Sequence, residues 1–295
     1  MKFINSKEER IKIFLFIVSI TALLILVGIF FFLFFTGVQA FKEISLSEFL
    51  FGRLWNPTAY TTPSWGIFGL FVGTILITLS SMIIAVPLGI AVAIYLSEIA
   101  HPKTREVLKP TIEMISGIPS VVLGLIGLLF LAPLIAHIFN LSSGLNALTS
   151  SLIVAVMVLP TIISISEDVL TSLPNEFREA SLALGATRWQ TIRMTLLPAA
   201  SSGIVAAIML GLGRAVGETM AVLMVAGNSI AMPQSLLDPV RPMTANIAIE
   251  IKEVVQGSLH YEALFAIALV LFVLTFAVNL ISDIIIEKHI RKYKW

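Results

Sequence analysis

From Met114 to Ser166 the chain carries no Asp, Glu, Lys or Arg. A spanning helix takes about 20 apolar residues, so this run has room for two crossings of a bilayer. The polar stretch His137-Ile-Phe-Asn-Leu-Ser-Ser-Gly144 divides it into two. The composition agrees: 57% hydrophobic, 13% charged, with a mean hydropathy of +0.98, far from a soluble domain's balance. The hydropathy pattern predicts an all-α integral membrane protein, one membrane domain over residues 1–295. Its six transmembrane helices are expected at Ile13–Thr36, Gly66–Ser97, Met114–Ala136, Leu148–Ser166, Ala199–Asn228 and Ala263–Ile281.

Charge placement predicts the orientation. Lys2, Lys7, Arg10 and Lys12 precede the first span, and Lys288, Arg291, Lys292 and Lys294 follow the last. Lys103, Arg105 and Lys109 between spans two and three, and Arg178, Arg188 and Arg193 between four and five, fall on the same side. Only Lys42, Arg53, Arg241 and Lys252 fall opposite, so fourteen basic residues against four predict that both termini are cytoplasmic. The first apolar run is far longer than the ~7–15 residues of a signal core and is read as a retained anchor. With no cysteine, disulfides, thiolate catalysis and Cys-ligated zinc are excluded. The four histidines (His101, His137, His260, His289) have no ligand spacing and are expected to be solvated or interfacial, so no metal site is expected.

Against this apolar background, Gly211-Leu-Gly-Arg214-Ala-Val-Gly-Glu218-Thr places an arginine and a glutamate one helical turn apart inside the fifth span. An ionised group at bilayer depth costs several kcal/mol, and such residues face a pathway or a partner. The guanidinium fork matches phosphate oxygens, and weak, transient occupancy is what conduction requires. A purely architectural Arg214–Glu218 ion pair is the competing reading, and Glu218 has a second option in a basic residue of a partner subunit. On the second span Thr74, Thr78 and Ser81 form one hydroxyl stripe, either lining a path or bonded back to their own helix. Gly117-Ile-Pro119-Ser120 loosens the third span near its start, as a packing kink or as backbone lining a cavity. Gly69xxxGly73 and Gly213xxxGly217 offer faces for close helix packing. Outside, Thr244 is expected to cap a helix running to Gln256, set against a partner subunit, a docked binding protein or the pore mouth.

The segment at 171–198 predicts a compact cytoplasmic knob. Asn175 is expected to cap a first helix through Phe177, Ala180, Ser181 and Leu184, with Glu176 and Glu179 in its first turn. Gly185 is placed to end it as a C′ glycine. Thr187 and Gln190 make a capping box for a second helix, which Pro198 is expected to stop.

Glu179-Ala180, then Gly185, Ile192 and Leu197-Pro198 resemble the EAA loop of ABC importer permeases, with Ser181 in place of the second alanine. Ala85-Val-Pro87-Leu-Gly89, Tyr95-Leu-Ser-Glu98-Ile, Gly117-Ile-Pro119-Ser120 and the Arg214 segment resemble the phosphate-specific permeases of that class. The Glu218-Thr-Met-Ala-Val ending is similar to their PstC-type subunit. The resemblance implies a type I importer permease fold. It implies a permease subunit of an ATP-driven importer for inorganic phosphate, forming half of a pore with a PstA-type second permease subunit. The other implied partners are two ATPase subunits and an extracytoplasmic phosphate-binding protein. Phe177, Glu179, Ala180 and Gly185 would then meet the ATPase, and Arg214, Glu218, Thr74, Thr78, Ser81 and Ser120 would line the substrate pathway.

The chain has no Gly-Lys dipeptide and hence no Walker A loop, so if ATP drives transport the ATPase is a separate chain. The resemblance implies no cofactor in this chain, with ATP and Mg bound by the partner ATPase. No nucleic-acid partner is expected, and the surrounding solvent is the lipid bilayer. Alternative readings are a permease for another oxyanion or a secondary transporter. The latter would normally carry inverted repeats, which the two halves do not show, and it gives the capped knob no role. An intramembrane enzyme would need a nucleophile with its base, or a motif such as His-Glu-x-x-His, and neither occurs.

Overall fold

A computed structural model describes residues 6–60 and 62–292; Lys2, Lys294 and the side chain of His289 lie outside the described residues. The described helices are α1 (Ser6–Gly37), α2 (Leu46–Phe51), α3 (Phe68–Ile94), α4 (Pro102–Ser116), α5 (Ser120–Ile126), α6 (Ala132–Ile138) and α7 (Ala147–Ser172). They continue as α8 (Asn175–Ala183), α9 (Arg188–Thr191), α10 (Leu197–Gly217), α11 (Met220–Val225), α12 (Met243–Glu250) and α13 (Leu259–Lys292). A small antiparallel pair, β1 (Trp55–Asn56) and β2 (Ser64–Trp65), sets Trp55 opposite Trp65. Among the described residues, six helical stretches are long and apolar enough to cross a membrane: Glu9–Lys42, Phe68–Ile99, Ser120–Ile138, Ala147–Ser172, Arg188–Gly217 and Leu259–Ile281.

The bundle is built around α7. Buried residues make up 61% of its apolar window and none of α1's, so α7 is the axis and α1 is peripheral. Close approach to α7 comes from glycine: a Cβ at Gly89 of α3 would stand 2.7 Å from Ile162 Cγ2, and one at Gly211 of α10 would stand 2.8 Å from Val158 Cγ1. Ile77, Met82, Val154, Val158, Ile162 and Val222 fill the resulting core. The expected Gly213xxxGly217 face makes no such contact within the chain, since open space lies beside both glycines. Gly69 and Gly73 face backbone carbonyls of Arg53 and Arg241 rather than another spanning helix. α1 reaches the body through α13, with Phe30 and Phe32 set against Phe272 and Phe265.

Three spans differ from the uninterrupted cylinders that hydropathy predicts. Met114 lies in the last turn of α4, a separate amphipathic helix ending at Ser116, and the third span begins only at Ser120, after Gly117-Ile118-Pro119 breaks the helix. The fourth runs past Ser166 to Ser172, because Glu167 and Asp168 find basic partners on α4. In the fifth, Pro198 does not stop the helix. A π turn at Ile192–Leu196 carries the helix past it, with the Leu197 N–H bonded back to Ile192 O, and Pro198 sits in the first turn of α10 just beyond that turn. The helix instead stops at Gly217, and Glu218 takes up extended backbone (φ −67, ψ 124) before α11 resumes.

Candidate functional site: a broken helix and a capped knob

The break after Gly217 exposes backbone groups that apolar surroundings would penalise, and polar side chains meet them. The Thr219 hydroxyl donates to Gly217 O at 3.1 Å, and Thr244 Oγ1 donates to Glu218 O at 3.1 Å. The Glu218 carboxylate accepts the Ala221 N–H at 3.1 Å, holding the start of α11. Of the options open to Glu218, the pair with Arg214 is not formed: the two do not share one continuous helix, and Glu218 is engaged with the backbone. Thr244 likewise does not cap an external helix reaching Gln256. It lies within α12, which ends at Glu250, and its hydroxyl is committed to the break.

Arg214 is half-buried near the end of α10 and donates to Thr161 Oγ1 of α7 at 3.3 Å. Among the described residues no carboxylate pairs with it. Thr74, Thr78 and Glu218 come together with Thr244 around one small crevice, and Arg214 is not among its walls. The stripe residues are all buried. Thr74 Oγ1 donates to Leu70 O and accepts the Met243 N–H at 3.0 Å, so it also anchors α12 on α3. Ser81 Oγ donates to Thr78 O. Ser120 opens α5, which packs on α11: a Cβ at Gly124 would stand 2.9 Å from Ala221 Cα.

In the 171–198 segment the knob has both of its helices. Gly185 adopts φ +84, and the Gly185 and Ala186 N–H groups donate back to Leu182 O and Ser181 O, the paired bonds of a Schellman stop. Thr187 and Gln190 cap α9 reciprocally. The N-terminal cap differs from expectation. Pro174 (φ −55, ψ 142) supplies the extended entry residue, and Asn175 already belongs to α8. The Ser181 hydroxyl lies 3.0 Å from that of Thr191, joining the two helices. Phe177, Glu179, Ala180 and Gly185 are exposed, beside an outward apolar apex of Leu184 (90% exposed) and Trp189 (59%).

Sequence reasoning missed three charged clusters, because each depends on residues far apart in the chain. Arg178 of α8 grips Glu98 at the end of the second span, with Nη2 to Oε1 at 2.6 Å. The fully buried Glu167 accepts from Arg105 and, at 2.6 Å, from Lys109. Burial would lower the Lys109 pKa, but the carboxylates of Asp168 and Glu167 outweigh it and hold the ammonium above the ordinary 10.5. In the third, Glu250 gathers Trp55 Nε1, Arg241 Nη1 and His260 Nε2 at 2.9, 3.1 and 2.8 Å. His260 is therefore a part-buried structural partner rather than a solvated group. The Asp238 carboxyl is held below its ordinary value by the backbone N–H groups of Gln234 and Ser235, in a loop whose carbonyls at Leu236 and Asp238 accept the first N–H groups of α7.

A polytopic helical bundle with one spanning helix broken close to an arginine that pairs with no carboxylate among the described residues, and with a capped helical knob, has the architecture of a membrane transport subunit. Residues 85–292 match the family described as binding-protein-dependent transport system inner membrane component, and the chain belongs to that family. It is a multi-pass inner-membrane permease subunit and not an enzyme. It is 44% identical over 242 residues to the probable ABC transporter permease protein YqgH of Bacillus subtilis, covering 81% of this chain and 78% of that protein. It is 37% identical over 283 residues to the phosphate transport system permease protein PstC of Mesorhizobium japonicum, covering 90% and 85%. Its fold matches a bacterial ABC transporter involved in import of the acidic polysaccharide alginate, with TM-score 0.63 at 14% identity and 96% of each chain covered. It also matches the inward-facing MetNI methionine ABC transporter, with TM-score 0.56 at 21% identity, covering 76% of this chain and 94% of that one.

Proposed function

We propose that this chain is the PstC-type permease half of an ATP-driven ABC importer for inorganic phosphate. The observation that carries the reading is Arg214: a half-buried guanidinium in an apolar span, held by a neutral hydroxyl, with the nearby Glu218 engaged elsewhere. Its charge calls for an anion, and its planar fork suits tetrahedral oxyanions. The PstC relatives support phosphate as that anion. Arg214, Glu218, Thr74, Thr78, Ser81 and Ser120 then belong to or border the pathway. In this reading a PstA-type subunit supplies the other half-pore, two ATPase subunits bind ATP, and an extracytoplasmic phosphate-binding protein delivers the ion. The basic-residue asymmetry supports cytoplasmic termini. It also puts the 171–198 loop on the ATPase side, where Phe177, Glu179, Ala180 and Gly185 meet the ATPase.

The test is uptake of labelled phosphate by the purified complex in proteoliposomes. Uptake is expected to require both ATP and the binding protein and to be unaffected by excess sulfate. Uptake driven by an ion gradient without ATP overturns the reading.

A further inference from the structure

We propose that Arg178 and Glu98 form a strut that carries movement of the knob into α3, a role that rests on the knob being the ATPase contact. The two halves of the knob attach to the bundle differently. The second half has a covalent route, because α9 runs through the π turn into α10 as one spanning stretch. The first half follows α7 through the short Leu173-Pro174 link and packs little of its own surface, since α8 contains no buried residue. The Ser181 hydroxyl ties α8 to Thr191 and Thr195 of the second half, and α8 reaches α3 and the end of α7 through the Arg178 guanidinium. Its Nη2 donates to Glu98 Oε1 at 2.6 Å and to Leu170 O at 2.9 Å, its Nη1 to Leu173 O at 3.0 Å, and its Nε lies 3.2 Å from both Glu98 oxygens.

One side chain thereby joins three elements. Glu98 sits in the π turn that closes α3, and Leu170 and Leu173 are the final carbonyls of α7, which a helix end leaves without intrahelical donors. Only arginine's fixed fork reaches such a set at once. Side-chain exposures of 21% and 11% keep the pair largely from solvent screening. From the π turn that holds Glu98 the helix itself runs back along α3 to Thr74, which receives the Met243 N–H, and the path passes through α12 to Thr244, which holds the carbonyl of Glu218. The strut therefore connects the knob with the helix break by a route that bypasses α10. Arg178 is a positioning residue on this view: it touches neither nucleotide nor cargo.

A static brace and a transmitting strut separate in the number of ATP hydrolysed per phosphate imported, measured on the whole complex in proteoliposomes. In Arg178→Ala the ATPase subunits are expected to co-purify normally and hydrolysis to stay within about twofold, while uptake falls about tenfold, the loss of one coupling contact of about 1.4 kcal/mol. Glu98→Gln, which keeps shape and one acceptor, is expected to raise the ratio about threefold. An unchanged ratio in Glu98→Gln overturns the strut, as do uptake and hydrolysis falling in proportion with lost subunits. Leu184→Asp at the exposed apex tests the underlying reading separately. If that variant retains its ATPase, the knob is not the contact. If it loses the ATPase while the Glu98→Gln ratio is unchanged, the strut alone fails.

Discussion

Arg214 and Glu167 sit on packed neighbours, α10 and α7, and each carries a charge that apolar surroundings oppose. Their company differs. Glu167 is fully buried and receives Arg105, Lys109 and the Thr171 hydroxyl. Arg214 is half-buried and has the Thr161 hydroxyl. A buried charge that serves architecture is supplied with counter-charges and hydrogen bonds, since leaving it unpaired is strongly destabilising. Arg214 lacks that supply, although Glu218 is only four residues away and is spent on the α11 backbone. On the proposed function, the counterion, more than the depth, separates a structural charge from one held for a transported anion.

The largest expected effect tests Arg214. Arg214→Leu should abolish phosphate uptake, a fall of about a hundredfold or more for loss of a charge-assisted contact of about 3 kcal/mol. Arg214→Lys should reduce it about tenfold, since charge survives but the fork does not. In both, the complex should co-purify intact, because no carboxylate among the described residues is left unpaired. Failed assembly in Arg214→Leu would make the two charges alike and end the comparison.

Glu167→Leu should show the opposite pattern. Arg105 and Lys109 would lose their common acceptor but are 33% and 26% exposed, so water can reach them. The expected cost is about 2 kcal/mol, below the 3–5 typical of a wholly buried broken pair. Thermal unfolding of the detergent-solubilised complex reads it, and uptake per assembled complex should stay near wild type. Normal stability with lost uptake would move Glu167 into the pathway class.

Thr161→Val is a smaller change and sharpens the same contrast. It removes the hydroxyl that orients Arg214 without altering volume, and uptake should fall about threefold to fivefold, as loss of a hydrogen bond of about 1 kcal/mol implies. No effect at all would mean that the guanidinium is positioned by something other than α7.

What could be read from the sequence follows the range of the interaction that fixes each feature. The Gly185 stop and the Thr187–Gln190 box depend on neighbours within a few residues, and both stand as expected. The apolar spans are legible for the same reason, since hydropathy sums locally. The break after Gly217 is not legible. No proline marks it, and its stabilising partner Thr244 lies 26 residues away from Glu218. Pro198 misleads in the other direction, because the preceding π turn places it in the first turn of α10. Glu98 and Arg178 are separated by 80 residues, and Trp55 and Glu250 by 195, so neither partnership leaves a local pattern. Arg214 was conspicuous from its neighbours alone; the absence of a counterion required the fold.

The smallest expected effect lies in the pH dependence of the Glu167 cluster. The Lys109 ammonium is held above its ordinary 10.5 by Asp168 and Glu167, against the opposing effect of burial. A raised folded-state value means the folded protein binds the proton more tightly than the unfolded chain does. Its contribution is therefore fully present below 10.5 and is lost as pH rises through the higher folded-state value. Across neutral and mildly alkaline pH the cluster should add a constant increment. Only above 10.5 should the difference in unfolding temperature between wild type and Lys109→Met shrink, and comparing the two removes the titration of the other lysines. Arg214 has no such partner, so Arg214→Leu should show no corresponding alkaline convergence with wild type. If the Lys109→Met difference instead shrinks on acidification towards neutral pH, the carboxylates and not the ammonium control the cluster, and the counterion account of Glu167 loses its support.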